Sequence, residues 1–202
     1  QDHYIYLSTP ETTPFTVTIT DGLGTPITGS PFTISATSPV SVLIGNGSNT
    51  KMFVDISRVN TVLIDRGLIL EGSKDFYVSF RMRHTSHAET LISKGISGKG
   101  KNFRVGYMIN DLIDSRKSFV TSLMATEDGT SVSLTGYDTN VTFATSSGVM
   151  TLTNQSFFLD AGESIIFSGY SNNPDNIQGA IGALISSNKD IVVNSGNALG
   201  GV

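Results

Sequence analysis

The chain has 202 residues, 38% of them hydrophobic and only 15% charged, with a net charge of −4. That is enough apolar material for one large core or two smaller ones. It is too little positive charge for the basic stripe that a phosphate backbone requires, so nucleic acid is excluded as a partner. With no cysteine, disulfides, thiolate nucleophiles and thiolate zinc sites are excluded as well.

The text is β-like almost from the start. Tyr4 to Leu7 is a short apolar run, and TPETTP, Thr9 to Pro14, punctuates it. Phe15, Val17 and Ile19 then alternate with threonines, the period of a half-buried strand. Phe32 with Ile34, and Val40 with Val42 and Ile44, repeat the alternation, as do Phe76, Val78 and Phe80. The more apolar Val59 to Leu70 reads as a strand pair folded at Asp65-Arg66-Gly67. Arg83 to Asn102 is polar and glycine-rich, a long loop with one short helical turn around Ala88 to Ile92. Phe103, Val105 and Tyr107 restore a strand, and MINDLIDSRKS reads as a short helix or tight turn. Eight further short strands follow, from Phe119–Thr126 through Ser131–Thr135 to Ala180–Ser186 and Asp190–Asn194, separated by Gly, Asn, Asp and Ser. The expected class is therefore all-β, an antiparallel sandwich or jelly-roll-like body with little helix. Phe15 and Phe167 are expected in its core.

The two halves also read alike. LSTPETTPFTVTITD, from Leu7, aligns with MATEDGTSVSLTGYD, from Met124, placing Thr9 on Thr126. FTISATSPVSVLIG matches FFLDAGESIIFSGY, and LEGSKDFYV matches ISSNKDIVV, with Lys74 on Lys189 and Asp75 on Asp190. Three matches in one order imply related halves, residues 1–83 and 111–202, packed together and bridged by the glycine-rich segment 84–110. Lys-Asp follows a polar bend and precedes a strand in both, which makes it a structural corner rather than a site. The chain opens on Gln1 and stops soon after a strand-like run, which fits a fragment of a longer protein.

No catalytic residue stands out. His84 and His87 are three apart in RHTSHAE, a spacing that suits zinc only on a helix, and the segment lacks helical periodicity. GISGKGK lacks the spacing and the strand-to-helix setting of a phosphate loop. No G-x-S-x-G elbow accompanies the many serines. Cofactors are expected to be absent, with calcium the exception to watch: Asp111 with Asp114, and Glu127 with Asp128, are the densest carboxylates, although no alternating acid loop surrounds them. Glu127-Asp128-Gly129 reads equally as a hairpin turn with Gly129 at positive φ. Tyr137 and Tyr170, each after a glycine, are candidates for a shallow sugar-binding face, which tryptophan would ordinarily supply.

Four runs carry a resemblance. KGISGKGKNFRVG (Lys94–Gly106), ATEDGT (Ala125–Thr130), LDAGES (Leu159–Ser164) and SNKDIVVNSG (Ser187–Gly196) resemble the family named after the IgG-Fc-binding protein N-terminal domain. The similarity is best over Leu91 to Val202 and falls within the branch found near the start of large Bacteroidetes surface proteins. The resemblance implies an extracellular, non-catalytic β module of a bacterial cell-surface protein exported by the type IX system, serving structure or adhesion and, in some members, gliding. Its partners would be neighbouring domains, other surface proteins or surface glycans. The animal relative behind the family name carries cysteine-rich regions and this chain has no cysteine, so antibody binding is not carried over.

Overall fold

The computed structural model describes residues 1–85, 88–111 and 114–199. It is all-β: fifteen strands among the described residues, every pairing antiparallel, with helix confined to 3₁₀ turns of three or four residues. Two compact units divide the chain, Gln1–Val54 with Asp65–Gly98, and Asp55–Ile64 with Lys99–Val202.

The first unit holds β1 (Asp2–Ser8), β2 (Phe15–Asp21), β3 (Phe32–Ile34), β4 (Val40–Asn46), β5 (Leu68–Gly72), β6 (Tyr77–Arg83) and β7 (Ala88–Ile92). One sheet runs β4-β1-β6-β7 and a second β3-β2-β5. Alternation decides which side chains meet. Ile5 and Leu7 from one sheet, and Phe15, Val17, Ile19 and Ile34 from the other, fill one shared core.

The second unit holds β8 (Lys99–Arg104), β9 (Phe119–Ala125), β10 (Thr130–Thr135), β11 (Thr142–Thr145), β12 (Gly148–Thr151), β13 (Gln155–Leu159), β14 (Ser164–Ser168) and β15 (Leu184–Asn197). Its main sheet runs β13-β10-β15-β9-β14, with β8 also on β15, and β11-β12 form a separate hairpin. Strand β15 changes partner along its length: Leu184–Ser187 pair with β10, and Ile191–Asn197 pair with β9. Phe119, Leu123, Val132, Phe143, Ile165, Phe167 and Ile185 lie in its core.

The same strand path occurs twice. The order β4-β1-β6 in the first unit corresponds to β14-β9 and the second half of β15; β3-β2-β5 corresponds to β13-β10 and the first half of β15. Where the first unit breaks its chain between β5 and β6, the second keeps one strand and shifts register between Ser186 and Ile191. Both Lys-Asp pairs sit at that corner.

Several local expectations give way. Ala88–Ile92 is not a helical turn but β7, because β6 offers an open edge with which all five residues pair. The Val59–Leu70 strand pair does not form, since only Leu68–Gly72 joins β2. Asn60, at φ +57°, breaks the extension, and Val59 and Leu63, 3% and 1% exposed, bury with the second unit instead. There the Leu63 N–H donates to the Ser164 carbonyl at 2.8 Å, Ser164 N–H returns a bond to Leu63 at 3.0 Å, and Asn60 N–H donates to Ile166 at 2.7 Å. Segment 84–110 contains β7 and β8, which belong to different units, and the chain passes from one unit to the other at Gly98. The strand expected at Phe103–Tyr107 runs earlier, as β8, and the one expected from Ala180 starts at Leu184, after Gly182 at φ +81°. Within MINDLIDSRKS a 3₁₀ turn spans Ser115–Lys117, capped by the Asp114 carboxylate on the Arg116 N–H.

Candidate functional site

At one end of each unit the corner is tied in the same way. The Thr9 hydroxyl donates to the Asp75 carbonyl at 2.7 Å, and the Thr126 hydroxyl to the Asp190 carbonyl at 2.7 Å. Lys74 Nζ reaches Glu11 Oε2 at 3.2 Å, while Lys189 Nζ donates to the Asp128 carbonyl at 2.6 Å. Ala36 N–H donates to the Glu11 carbonyl, and Ala161 N–H to Asp128 Oδ1. Three carboxylates of this second corner are thus spent on backbone N–H groups: Asp128 as above, Asp160 Oδ1, which accepts from Gly129, and Glu163 Oε2, which accepts from Asp160. Gly129 takes φ +64°, as the turn requires.

The opposite end of the second unit is organised by Asn176, which is fully buried. Its amide nitrogen donates to the Gly169 carbonyl at 2.7 Å, to Ser171 Oγ at 3.0 Å and to the Thr142 carbonyl at 3.1 Å, and its oxygen accepts from Thr142 N–H at 2.9 Å. The Tyr107 hydroxyl donates to the Asn176 carbonyl and accepts from Ala180 N–H, and burial pushes its ionisation up. Gly169 must be glycine here, because a Cβ would strike Ser118 and lie 2.5 Å from the Phe119 ring. This knot joins loops and presents no reactive group.

The four carboxylates considered for calcium are not brought together. Asp111 and Asp114 precede β9, Glu127 and Asp128 follow it, and a seven-residue strand keeps the pairs roughly 20 Å apart. Asp111 pairs with Lys117 at 3.0 Å, and Asp114 with Arg116, whose guanidinium holds the Asp114 carboxyl down at about 2. Among the described residues no group of three or more His, Asp or Glu side chains is placed to hold a metal ion. His84 is exposed, His87 lies outside the described residues, and Glu89 sits on β7. Gly95–Gly98 forms a 3₁₀ turn that leads into a strand.

Nor do the candidate tyrosines make a platform. The Tyr137 ring turns inward, 4.9 Å from Phe143 in an edge-on contact, and its hydroxyl lies buried beside the Gln155 amide without a hydrogen bond of standard geometry. Tyr170, half-buried, follows β14 at Gly169.

The exposed aromatic surface lies elsewhere, on the outer face of β4-β1-β6-β7. Register places Leu43, Tyr4, Arg81 and Thr90 in one row, and Ser41, Tyr6, Ser79 and Ile92 in the next. The Arg81 guanidinium stacks 4.7 Å over the Tyr6 ring, and Tyr4 and Tyr6 have ring centroids 6.2 Å apart. Leu43 is 56% exposed, Tyr77 66% and Ile92 66%. A solvated sheet face ordinarily carries Lys, Glu and Thr; tyrosine, arginine and aliphatic groups spaced by small residues are the composition of binding hot spots. The sequence alone places Tyr4 and Tyr6 only in a short apolar run. The signal was the same alternation read on its other phase: the residues between the core positions of β1 and β6 include Tyr4, Tyr6, Tyr77 and Arg81.

Among the described residues no helix is long and apolar enough to cross a membrane. No curated protein and no solved structure gives a significant match to the chain. A family model described as IgGFc binding protein matches residues 88–202, β7 through the whole of β15 and beyond. With more than half of its length matched, the chain belongs to the IgGFc binding protein family.

Proposed function

We propose that this chain is a non-catalytic, extracellular protein-binding module of a bacterial cell-surface protein, in which it serves structure and adhesion. Membership of a family described as IgGFc binding protein supports the protein-binding reading. The observation that carries it is the tyrosine–arginine face on β4-β1-β6-β7, where Tyr6, Tyr77, Leu43 and Ile92 stand in solvent around a stacked Arg81. On this reading the parent is a large surface protein of the type IX, adhesin or gliding kind, and the module acts by interfacial contact. Antiparallel ladders hold the body, and the aromatic face makes the contact.

The test displays the chain on bacterial cells and measures attachment to protein-coated and glycan-coated surfaces. Attachment to protein, lost in a Tyr4→Ser/Tyr6→Ser/Tyr77→Ser variant that keeps the parent melting temperature, is the expected outcome. Undiminished attachment by the variant would overturn it. A second reading, glycan recognition, rests on Phe158, 78% exposed on β13 opposite Ser131. Glycan-only attachment, abolished by Phe158→Ser, would favour that reading instead.

A further inference from the structure

We propose that the outer edge of β4 accepts an added strand: an extended, apolar-anchored segment of a neighbouring β-unit of the same kind. The inference rests on the protein-binding reading and names a partner segment for it.

Register sets the equivalence. Tyr6 lies between Ser41 and Ser79 as Ser122 lies between Ile166 and Asn194, and Tyr4 lies between Leu43 and Arg81 as Val120 lies between Ser168 and Gly196, the equivalence that keeps Lys74 on Lys189. Ser41 therefore stands in the first unit where Ile166 stands in the second, and Pro39 where Ser164 stands. In the second unit the far side of those residues is filled: Leu63 exchanges two backbone bonds with Ser164, and Asn60 donates to Ile166. In the first unit β4 ends its sheet, and among the described residues no backbone hydrogen bond reaches the outer side of Ser41 or Leu43.

Burial tells the same story. Beside the filled edge Ile165 and Phe167 are both sealed; of their counterparts on β4, Val42 is buried and Val40 only half-buried. The filling segment brings Val59 and Leu63, apolar anchors four residues apart that are themselves buried. An open edge with an incompletely covered flank is what a complementing strand recognises, through backbone bonds for affinity and side-chain pockets for specificity. The occupant follows from the filled case. Asp55–Ile64 lies between the fourth and fifth strands of one strand path and completes the edge of the other, so the segment that fits β4 is such a connection, polar in the middle with apolar anchors.

The test adds a synthetic peptide with the sequence of Asp55–Ile64 to the full chain and follows amide exchange by NMR. The Ile166 carbonyl faces outward on β14 and accepts from Asn60; N–H and C=O of a strand residue face the same way, so Ser41 N–H is the reporter on β4. Peptide at saturation is expected to slow Ser41 exchange at least tenfold. Ser41→Pro, which removes only an outward N–H from an edge, is expected to abolish the binding. Should that variant fail to fold, Leu43→Lys replaces it, because an exposed edge lysine blocks strand addition without touching the core; at least tenfold weaker binding is expected. Three results would overturn the proposal: unchanged Ser41 exchange, slowing confined to Ser164, or Ser41 protection that rises with chain concentration alone and so marks a second copy as occupant. Loss of cell attachment with Ser41 protection intact would overturn the adhesive reading and leave this one standing.

Discussion

The side-chain hydroxyl of Thr126 donates to the backbone carbonyl of Asp190 at 2.7 Å, tying the turn after β9 to the point where β15 changes partner. Thr9 makes the same bond to Asp75 in the first unit. Lys-Asp is thus the mark of a corner that a threonine holds from the neighbouring strand. Thr126→Val and Thr9→Val keep the shape and remove the donor, and each is expected to cost about 1 kcal/mol in denaturant unfolding. A cost indistinguishable from zero at both sites would show that the corner does not depend on them.

Asn176 is the larger bet. Fully buried, it ties polar groups of the loop after β14, at Gly169 and Ser171, to Thr142 at the start of β11. Asn176→Ala strands those groups away from water and is expected to cost at least about 3 kcal/mol, read as a lowered denaturation midpoint of the second unit.

Tyr137 runs the other way. Its hydroxyl is buried beside the Gln155 amide with no hydrogen bond of standard geometry, so Tyr137→Phe removes a poorly satisfied polar atom and keeps the edge-on contact with Phe143. Stability is expected to stay level or rise by up to about 1 kcal/mol in thermal unfolding. A clear loss would reveal a partner for the hydroxyl.

Acid should weaken the first unit in two stages. His3 is fully buried between Phe53 and Phe80, with Nε2 unpartnered, and desolvation lowers its ionisation below the ordinary value. The unfolded chain then takes up a proton that the folded one refuses, so the His3 contribution is intact above about 6.5 and falls away as pH drops below it. Asp21 behaves as a paired acid. Burial opposes its charge, but the Lys51 ammonium at 2.7 Å and the N–H groups of Thr25 and Leu23 outweigh that and lower its ionisation. Its contribution is present at neutral pH and lost below the ordinary carboxylate range, near 4. Melting temperatures at pH 7.5, 5.5 and 3.5 should show both drops, with His3→Leu flattening the first and Asp21→Asn the second. An unchanged first drop in His3→Leu would place the titrating group elsewhere.

The alternating text of Phe15–Ile19 and Ser131–Thr135 made their strands legible, because period two leaves a side chain only one face to bury. The Lys74 and Lys189 corners were legible for the same reason that Gly129 was: bends carry charge and glycine. What failed was local text whose partner is remote. Ala88–Ile92 has no helical or strand-like period of its own, and only the β6 edge makes it a strand. Val59 and Leu63 read as core for the nearest strands, yet their burial lies in the other unit, a choice set by packing and not by propensity. The tyrosine–arginine face escaped because it needs the lateral register of four strands, which no single strand's pattern contains.

The whole arrangement depends on the chain building one strand path twice, with Asp55–Ile64 completing the second. Native-state exchange of the Leu63 amide, compared between Phe167→Ala and Ile19→Ala, tests this most directly. Both side chains are fully buried, one in each unit, and truncation is expected to cost about 3–5 kcal/mol for Phe167→Ala and about 2–5 kcal/mol for Ile19→Ala, each within its own unit. Leu63 should exchange faster in Phe167→Ala, in step with the amides of β14, and much less so in Ile19→Ala. Leu63 exchange that follows Ile19→Ala and the amides of β2 and β5 would contradict it.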